Sequence, residues 1–394
     1  MGAVQETFSA FLRLGLTSFG GPIAHLAYFH REFVGRRRWM DAAEFADTVA
    51  LCQFLPGPTS SQVGFAIGLR RAGIAGGLAA WTAFTLPSAV VMATAGWMLA
   101  SAADVHGAWW MAVLRAIAAA VVAHAIVAMV RTRAPTAGRR MLAASVTLAL
   151  VAAGHAALPD WATVLLQPAA IALGAAVGMA AFVAPAASMP SAIDDGAQRM
   201  RAFHLPRGAP VTALVAAVAI LVAATVAAPG PPILAASAAC ARAGMMVFGG
   251  GHVVLPLLEQ AFTSSDWLDR DAVLSGYALA QSVPGPLFTM VSYLGAAMGA
   301  SGGAATAAAG AALLVASVFL PGLLLVIATL PAWHRLRSVT PLRAALVGAN
   351  CAVIGLLAAT LVDDVLPAAA ASEAGIPVAV VAFLALWWLG RRAP

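Results

Sequence analysis

A run of apolar residues at Leu51–Gly68 is interrupted in its middle by Pro56-Gly57-Pro58. Each proline removes a backbone hydrogen-bond donor, Pro58 disfavours a helical conformation at Gly57, and glycine itself lowers helix stability. The run is therefore predicted to form two half-length helices that meet at the Pro-Gly-Pro step. Inside a membrane, backbone groups freed in this way need a protein partner or a watered cavity, so the break strongly constrains the fold.

The composition shows that the surrounding medium is lipid. Hydrophobic residues make up 62% of the 394 positions and charged residues only 10%, which excludes an ordinary soluble domain. Apolar runs of about 20 residues recur without the period-two alternation of a transmembrane β-barrel. We therefore expect an all-α polytopic membrane protein with roughly 10–12 membrane segments, some of them broken or re-entrant at proline steps.

The polar residues exclude several other classes of protein. All 22 basic residues are arginines, and they cluster between apolar runs as in cytoplasmic loops, so no nucleic-acid partner is expected. Cys52, Cys240 and Cys351 show no metal-binding or disulfide spacing, so no metal site, disulfide or cofactor is predicted. No Walker loop, zinc-protease motif or serine-hydrolase motif occurs, so we expect no enzyme. The start of the chain lacks the features of a signal peptide and is expected to belong to the mature protein.

The interrupted run has a counterpart in the second half of the chain. The same features recur in one order at nearly constant spacing: an arginine, Phe-Gly-Gly, Trp-x-Asp, a glutamine before Pro-Gly-Pro, and Leu-Pro. They begin at Arg13, Phe19, Trp39, Gln53 and Leu86 in the first half, and at Arg242, Phe248, Trp267, Gln281 and Leu320 in the second. A pattern of this length indicates an internal duplication.

A polar stretch at 187–210 is predicted to link a first membrane domain at 1–186 to a second at 211–394. The loop before the Pro-Gly-Pro helix is rich in arginine in the first half and acidic in the second. Opposite charge favours inverted repeats, because only cytoplasmic loops are enriched in arginine. The number of segments between the loops favours parallel halves if the first hairpin is re-entrant. Both orientations stay open, and we prefer inverted repeats.

The first Pro-Gly-Pro step is predicted to create an anion site. If Pro58 begins the second half-helix, the amides of Thr59, Ser60 and Ser61 lack intrahelical partners and lie at its positive end beside three hydroxyls. A helix start of this kind binds anions readily. A glutamine before each step is expected to donate from its side-chain amide. The alternative is a proline kink without a ligand, and the recurrence of the motif favours the anion site.

Two arginines, Arg13 and Arg242, lie within apolar runs six residues before Phe-Gly-Gly. A charged side chain at membrane depth is costly unless it is paired or hydrated, and such residues usually mark ion pathways. We expect both to face the protein interior and to bring positive charge to the pathway. The alternative is a structural arginine whose side chain reaches the membrane interface.

Four further residues are candidates for proton coupling. Glu44 and Asp47 lie three residues apart on one helix face, and neither has an acidic counterpart in the second half. His25 and His252 both follow a Phe-Gly-Gly break, although they are not equivalent positions. The alternative for the two carboxylates is that they are solvated at the entrance of the pathway. The alternative for the two histidines is a structural role.

At these motifs the sequence resembles the chromate ion transporter family, in its long form with two homologous membrane domains. The resemblance covers nearly the whole chain and rests on Phe19-Gly20-Gly21-Pro22, the Trp39 region and Pro-Gly-Pro in the first half, with Phe-Gly-Gly-Gly-His at 248–252 and Pro-Gly-Pro in the second. It implies a carrier in the bacterial inner membrane that exports chromate from the cytoplasm. It further implies that the membrane's ion gradient drives export and that chromate resistance follows.

The second half departs from the first at two places. Gly251 stands in place of Pro22, and Leu287-Phe288-Thr289 stands in place of Thr59-Ser60-Ser61, the hydroxyl triplet. We therefore expect the first half to provide most of the groups that bind the anion. The donors do not separate chromate from sulfate, so a transporter of sulfate or another oxyanion is the alternative, with sulfate as the expected competitor. A non-transporting scaffold or channel-like subunit is the rival class, and a homodimer stays open. The candidate pathway residues are Arg13, Phe19, Gly20, Gly21, Pro22, Gln53, Pro56, Gly57, Pro58, Thr59, Ser60, Ser61, Arg242, Phe248, Gly249, Gly250, Gln281, Pro284, Gly285 and Pro286.

Overall fold

A computed structural model describes residues 2–19, 21–101, 109–156, 160–183, 205–206, 208–226, 230–247, 254–333 and 339–392. Every regular element within these ranges is helical, which confirms the all-α class. The α-helices are α1 Ala3–Thr17, α2 Gly21–Phe29, α3 Ala42–Phe54, α4 Thr59–Ser101, α5 Trp109–Arg133, α6 Ala137–Gly154, α7 Asp160–Ala181, α8 Ala209–Val226, α9 Pro232–Met246, α10 Val254–Thr263, α11 Arg270–Ser282, α12 Met290–Gly299, α13 Ala304–Thr329, α14 Thr340–Thr360, α15 Leu366–Ala370 and α16 Gly375–Arg392.

Shorter helical turns extend several of these helices. Two are π-helical, His30–Arg36 after α2 and Leu361–Val365 after α14, and three are 3₁₀ turns at Leu287–Thr289, Ala300–Gly302 and Leu330–Ala332. Five stretches of the described chain are long and apolar enough to cross a membrane, namely Thr59–Ser101, Arg115–Arg133, Ala209–Val226, Ala304–Ala332 and Thr340–Ala370. The chain is therefore a multi-pass membrane protein.

By compactness the chain divides into two units, and each contains segments from both halves of the sequence. The first unit comprises Met1–Trp97, Ser188–Gly251 and Ala280–Thr340, and the second comprises Met98–Ala187, His252–Leu279 and Pro341–Pro394. The division differs from the sequence boundaries at 1–186 and 211–394, which therefore remain a prediction about the repeat. Both Pro-Gly-Pro steps belong to the first unit.

The first Pro-Gly-Pro step breaks the chain as predicted. Helix α3 ends at Phe54 and α4 begins at Thr59. The guanidinium of Arg70, eleven residues along α4, pairs with the carboxylate of Glu44 at the start of α3. The two segments therefore run antiparallel, with the Pro-Gly-Pro step at the tip of the hairpin. The start of α3 and the part of α4 near Arg70 lie side by side at its open end. A re-entrant hairpin requires this arrangement.

Helix α4 itself reverses direction at Ala72–Gly73. Ala72 (φ −150°, ψ 32°) and Gly73 (φ 63°, ψ −158°) leave the helical region, so the helix consists of two segments. These segments approach closely through Gly68 and Gly76, since a Cβ placed on Gly68 would stand 2.3 Å from the carbonyl oxygen of Gly76. Two glycines let the backbones come this near, as small residues do between membrane helices.

The second repeat builds the same pair of helices. Gly303 (φ 88°) separates the 3₁₀ turn after α12 from α13, as Gly73 does within α4. A Cβ on Gly295 would lie 2.4 Å from the carbonyl oxygen of Gly310, so α12 and α13 also cross at glycines. Each Pro-Gly-Pro step is therefore followed by a half-helix, a glycine reversal and a long helix.

The loops before the two Pro-Gly-Pro helices also share one geometry. Arg38 and Asp266 occupy equivalent positions and both have φ of 52°, which is uncommon for residues with a Cβ. In each loop the tryptophan packs on a phenylalanine, with ring centroids 4.9 Å apart for Trp39 and Phe33 and 5.4 Å apart for Trp267 and Phe262. The internal duplication predicted from the sequence is therefore visible in the backbone.

In the second unit the helices also approach at glycines. A Cβ on Gly348 in α14 would stand 1.9 Å from the carbonyl oxygen of Gly174, and one on Gly178 in α7 would stand 2.3 Å from that of Ala344. Arg115, a charged residue within α5, pairs with Asp271 at the start of α11. The arginine is therefore neutralised within its own unit.

The apolar stretch at 233–258 contains two helices, α9 and the beginning of α10. Helix α9 ends at Met246, two residues before Phe248, just as α1 ends at Thr17, two residues before Phe19. Glycine pairs lower helix stability, so Phe-Gly-Gly ends the helix in both repeats.

The Gly68–Gly76 contact yields a prediction about stability. Gly68→Ala should lower the free energy of unfolding by about 1–3 kcal/mol, because the new methyl group forces two backbones apart. Gly35→Ala is the matched control, since a Cβ there meets nothing within 4 Å. Thermal unfolding in detergent measures both. Equal melting temperatures for the two variants would contradict the close crossing.

Candidate functional site

Each Pro-Gly-Pro step is hydrogen-bonded to the broken helix end of the other repeat. The backbone N–H of Gly57 donates to the carbonyl oxygen of Val247 at 2.8 Å, and the N–H of Gly285 donates to that of Ser18 at 3.0 Å. Ser18 directly follows α1 and Val247 directly follows α9, at equivalent positions of the repeat. Four helix breaks are thereby joined in two reciprocal pairs within the first unit.

The central glycines of the two steps are required by both backbone angle and space. Gly57 has φ of 132° and Gly285 has φ of 115°, values that a residue with a Cβ rarely adopts. A Cβ on Gly57 would lie 3.3 Å from the Cα of Gly322, and one on Gly285 would lie 2.6 Å from the Oγ of Ser88. Ser88 and Gly322 are again equivalent positions, each after a Leu-Pro pair, so this second contact is also exchanged between repeats.

The three hydroxyl residues at the start of α4 are buried where these helix breaks meet, a region called the junction below. Thr59, Ser60 and Ser61 are 8%, 4% and 1% exposed. The Oγ1 of Thr59 and the Oγ of Ser61 have no hydrogen-bond partner among the described residues. Buried hydroxyls are normally satisfied, so these two, at a helix N-terminus, are donors available to an acceptor.

The structure places His25 beside the triplet. The imidazole is fully buried, and its Nδ1 lies 3.3 Å from the Oγ of Ser60. The ring meets Phe84 edge-on with centroids 5.2 Å apart, and it also reaches the backbone of Ser18. Its Nε2 has no partner among the described residues. His25, one of the four proton-coupling candidates, therefore contacts the triplet.

Sequence reasoning missed three further polar residues near the junction, Ser18, Gln62 and Thr85. Gln62 is fully buried, and its Nε2 donates to the carbonyl oxygens of Pro56 at 2.8 Å and Gly322 at 3.2 Å. The Oε1 of Gln62 and the hydroxyls of Ser18 and Thr85 have no partner in the described part of the chain. A polar residue within an apolar half-helix was the signal available for Gln62, whereas Ser18 and Thr85 show no pattern of their own.

The corresponding turn in the second repeat lacks free hydroxyls. Leu287 and Phe288 are buried and apolar, and the Oγ1 of Thr289 donates to the carbonyl oxygen of Pro286 at 2.7 Å. These residues form a 3₁₀ turn, whereas the first repeat enters an α-helix directly. The two glutamines before the steps, Gln53 and Gln281, are both half-buried. The polar donors are therefore concentrated in the first repeat.

The expectation that the two arginines face the interior is wrong for Arg13, whereas Arg242 is partly buried. Arg13 is exposed, because the buried face of α1 carries Ala10, Phe11 and Leu14 instead. Arg242 is half-buried and donates to the backbone carbonyl of Ala224 in α8. The described contacts of these arginines include none with the Pro-Gly-Pro steps, so their role in the pathway stays a prediction.

The carboxylates of α3 differ from one another. Glu44 completes a capping box with Asp41 and also pairs with Arg70, so it stabilises the start of α3 and the hairpin. Asp47 is buried, 7% exposed, one turn further along. Glu44 therefore has a structural function in the hairpin, whereas Asp47 keeps its place among the proton-coupling candidates.

Charged side chains surround the open end of the hairpin, in the arginine-rich loop after α2. Glu32 accepts hydrogen bonds from Arg36 and Arg37, and Arg37 and Arg71 both reach Glu6. Burial alone would raise the pKa of the Glu32 carboxyl, but the hydrogen bonds from the two arginines outweigh it and hold that pKa below its ordinary value.

Several predicted site residues lie outside the described part of the chain. Among the first-repeat candidates, Phe19 is exposed and Gly21 has φ of 74°. Pro56, Pro58, Pro284 and Pro286 flank the two central glycines as described above. The structure does not describe Gly20, the side chain of Pro22, Phe248, Gly249, Gly250 or His252.

The fold and the junction define a polytopic helical membrane protein with an internal repeat and discontinuous helices, an arrangement found in transporters. The chain belongs to the chromate transporter family, whose model matches residues 5–179 and 234–394. The two matched regions correspond to the two halves of the repeat. The family is one of transporters rather than enzymes.

Three curated relatives match over most of their length. A chromate transport protein of Pseudomonas aeruginosa is 28% identical over 91% of this chain and 80% of its own. A probable chromate transport protein of Synechococcus elongatus is 27% identical over 100% of this chain and 92% of its own. A chromate transport protein of Cupriavidus metallidurans is 27% identical over 97% of this chain and 86% of its own. No solved structure matches the chain.

The position of Gln62 yields a prediction for the junction. Gln62→Leu should lower the free energy of unfolding by about 1–3 kcal/mol or more, because the buried carbonyl groups of Pro56 and Gly322 lose a donor. Gln53→Leu is the matched control, since that side chain is half-buried. Chemical or thermal unfolding in detergent measures both. The assignment fails if the control loses as much stability as Gln62→Leu.

Proposed function

We propose that the protein is a secondary active transporter that exports chromate from the cytoplasm across the bacterial inner membrane and thereby confers chromate resistance. Membership of the chromate transporter family and the three curated relatives support chromate as the substrate. The observation that carries the proposal is the pair of buried, unpartnered hydroxyls of Thr59 and Ser61 at the start of α4.

The chemistry of the junction fits a tetrahedral oxyanion. Chromate presents four oxygens that accept hydrogen bonds from hydroxyls, from the free amides of the first helical turn and from an imidazole N–H. A hydrogen bond to a charged group contributes about 1.5–3 kcal/mol, and the low dielectric of a buried site strengthens it. The positive end of the helix dipole adds to this attraction.

The membrane potential supplies a driving force for the proposed direction. In a cell that is negative inside, moving a dianion outward is favoured by about 4.6 kcal/mol per 100 mV, since each charge contributes about 2.3 kcal/mol. The discontinuous helices allow the access to change from one side to the other around a fixed site.

Sulfate is the second candidate substrate, because the same donors suit it. Sulfate has the charge and the tetrahedral shape of chromate, and hydroxyl and amide donors recognise both through four oxygens. A second oxyanion would therefore compete for the junction even if chromate is the anion that the cell exports.

Flux measurements test the proposal directly. Inside-out vesicles that contain the protein should accumulate labelled chromate when a potential or a pH gradient is imposed, and sulfate in excess should reduce the rate. Vesicles without the protein provide the background. Absence of protein-dependent chromate flux under every gradient would overturn chromate transport, and sulfate flux without chromate flux would select the second candidate.

Paired variants in the same assay locate the site. Thr59→Val with Ser61→Ala should raise the KM for chromate at least about tenfold, because two hydrogen bonds to the anion are lost. Thr289→Ala is the matched control, since its hydroxyl already bonds to Pro286, and its KM should change little. A larger effect from Thr289→Ala would place the site in the second repeat.

A further inference from the structure

The side chain of His25 adjoins the proposed anion site and has one nitrogen free. It is fully buried, its Nδ1 lies 3.3 Å from Ser60, and its Nε2 has no partner among the described residues. The N–H of Gly285 bonds to the carbonyl of Ser18, whose backbone the imidazole also reaches. His25 therefore lies where the first Pro-Gly-Pro step, the end of α1 and the second Pro-Gly-Pro step meet.

The described contacts of His25 include no ionisable side chain. Phe84, Ser60 and Ser18, which surround the imidazole, carry no charge. The positive residues of α4, Arg70 and Arg71, stand roughly 15 Å along the helix from Ser60, and they pair with Glu44 and Glu6.

The other titratable groups on neighbouring elements are also engaged elsewhere or buried separately. Arg13 of α1 is exposed, Tyr28 of α2 contacts Arg31, and Arg242 of α9 bonds to a carbonyl of α8. Cys240 of α9 is a buried neutral thiol, and His30 packs against Phe45. Asp47 of α3 is a buried carboxylate, and it would be the rival proton acceptor.

A dianion in this setting has dipoles around it but no formal positive charge in the described contacts. Burying a charge without a counter-charge is expensive, because the low dielectric removes the solvation that water provides. A histidine changes its charge near neutral pH and is the group best suited to supply the missing charge. Bound anion and bound proton then stabilise each other.

We propose that His25 takes up a proton from solvent on Nε2 when the anion binds, so that proton and anion occupy the junction together. The proposal rests on the proposed oxyanion site. The imidazole becomes an imidazolium that donates from Nε2 to an anion oxygen, and no other bond forms or breaks. Because coupling between two ligands is reciprocal, the anion raises the affinity for the proton by the factor by which the proton raises the affinity for the anion.

A specific consequence is that the transported charge is smaller than that of the anion. If the proton travels with a dianion, each cycle moves a net charge of one rather than two, so the membrane potential contributes about 2.3 kcal/mol per 100 mV instead of twice that. His25 would thereby set both the pH dependence and the charge stoichiometry of export.

Calorimetry of chromate binding to the full-length protein in lipid nanodiscs tests the proposal. Titrations in two buffers of different ionisation enthalpy at one pH give the number of protons taken up per anion. The parent protein should take up close to one proton above about pH 7.5, where an ordinary histidine is neutral. The dissociation constant should rise about tenfold per pH unit in that range, so binding weakens as pH increases.

Three variants complete the test. His25→Gln should abolish the proton uptake and flatten the pH dependence, which also corrects for protonation of chromate itself. His155→Gln, at an exposed histidine bonded to a backbone carbonyl in the second unit, should bind as the parent does. Asp47→Asn should retain the proton uptake. If Asp47→Asn loses it instead, the proton belongs to the carboxylate and the proposal is overturned.

The outcomes separate this inference from the proposed function. A parent protein that binds neither chromate nor sulfate contradicts the oxyanion site itself. A parent protein that binds chromate without proton uptake overturns the role of His25, whatever the variants do. Binding by His25→Gln with the proton uptake of the parent overturns it as well. Size-exclusion profiles of all variants verify that each remains folded.

Discussion

The structure depends on how two broken helices satisfy their backbone groups in lipid. Each Pro-Gly-Pro step leaves the N–H of its glycine without a partner in its own helix. This N–H donates to a carbonyl at a helix end of the other repeat, Gly57 to Val247 and Gly285 to Ser18. Unpaired backbone groups at membrane depth cost several kcal/mol, so neither repeat is self-sufficient. The duplication and the breaks are therefore one physical solution, in which each half completes the hydrogen bonding of the other.

The two copies have diverged in what they bring to this junction. The first repeat carries buried hydroxyls at Thr59 and Ser61 and the imidazole of His25, whereas the second carries Leu287 and Phe288 and satisfies its threonine within its own turn. The two Pro-Gly-Pro steps share the positive φ of their central glycines, yet one is followed by polar and the other by apolar side chains. The second repeat fixes the first Pro-Gly-Pro step through the hydrogen bond between Gly57 and Val247. The donors of the first repeat are therefore positioned before an anion binds.

Much of this arrangement could be predicted from the sequence. Proline and glycine act on the local backbone, so the end of α3 and the start of α4 could be predicted from the Pro-Gly-Pro step. The recurring motifs predicted the duplication. The orientation of Arg13 could not be predicted from its place in an apolar run, because the buried face of α1 is set by its neighbours Ala10 and Leu14. The roles of Gln62 and His25 depend on contacts distant in sequence, and the pairing of Gly57 with Val247 is invisible without the fold.

The location of the bound anion tests the central claim most directly. Chromium scatters anomalously, so crystals of the protein grown with chromate would reveal the ion independently of its protein ligands. The account predicts a single strong peak within hydrogen-bonding distance of the hydroxyls of Thr59 and Ser61, beside the Nε2 of His25. A peak at Arg13 or Arg242, with none at the start of α4, would contradict it.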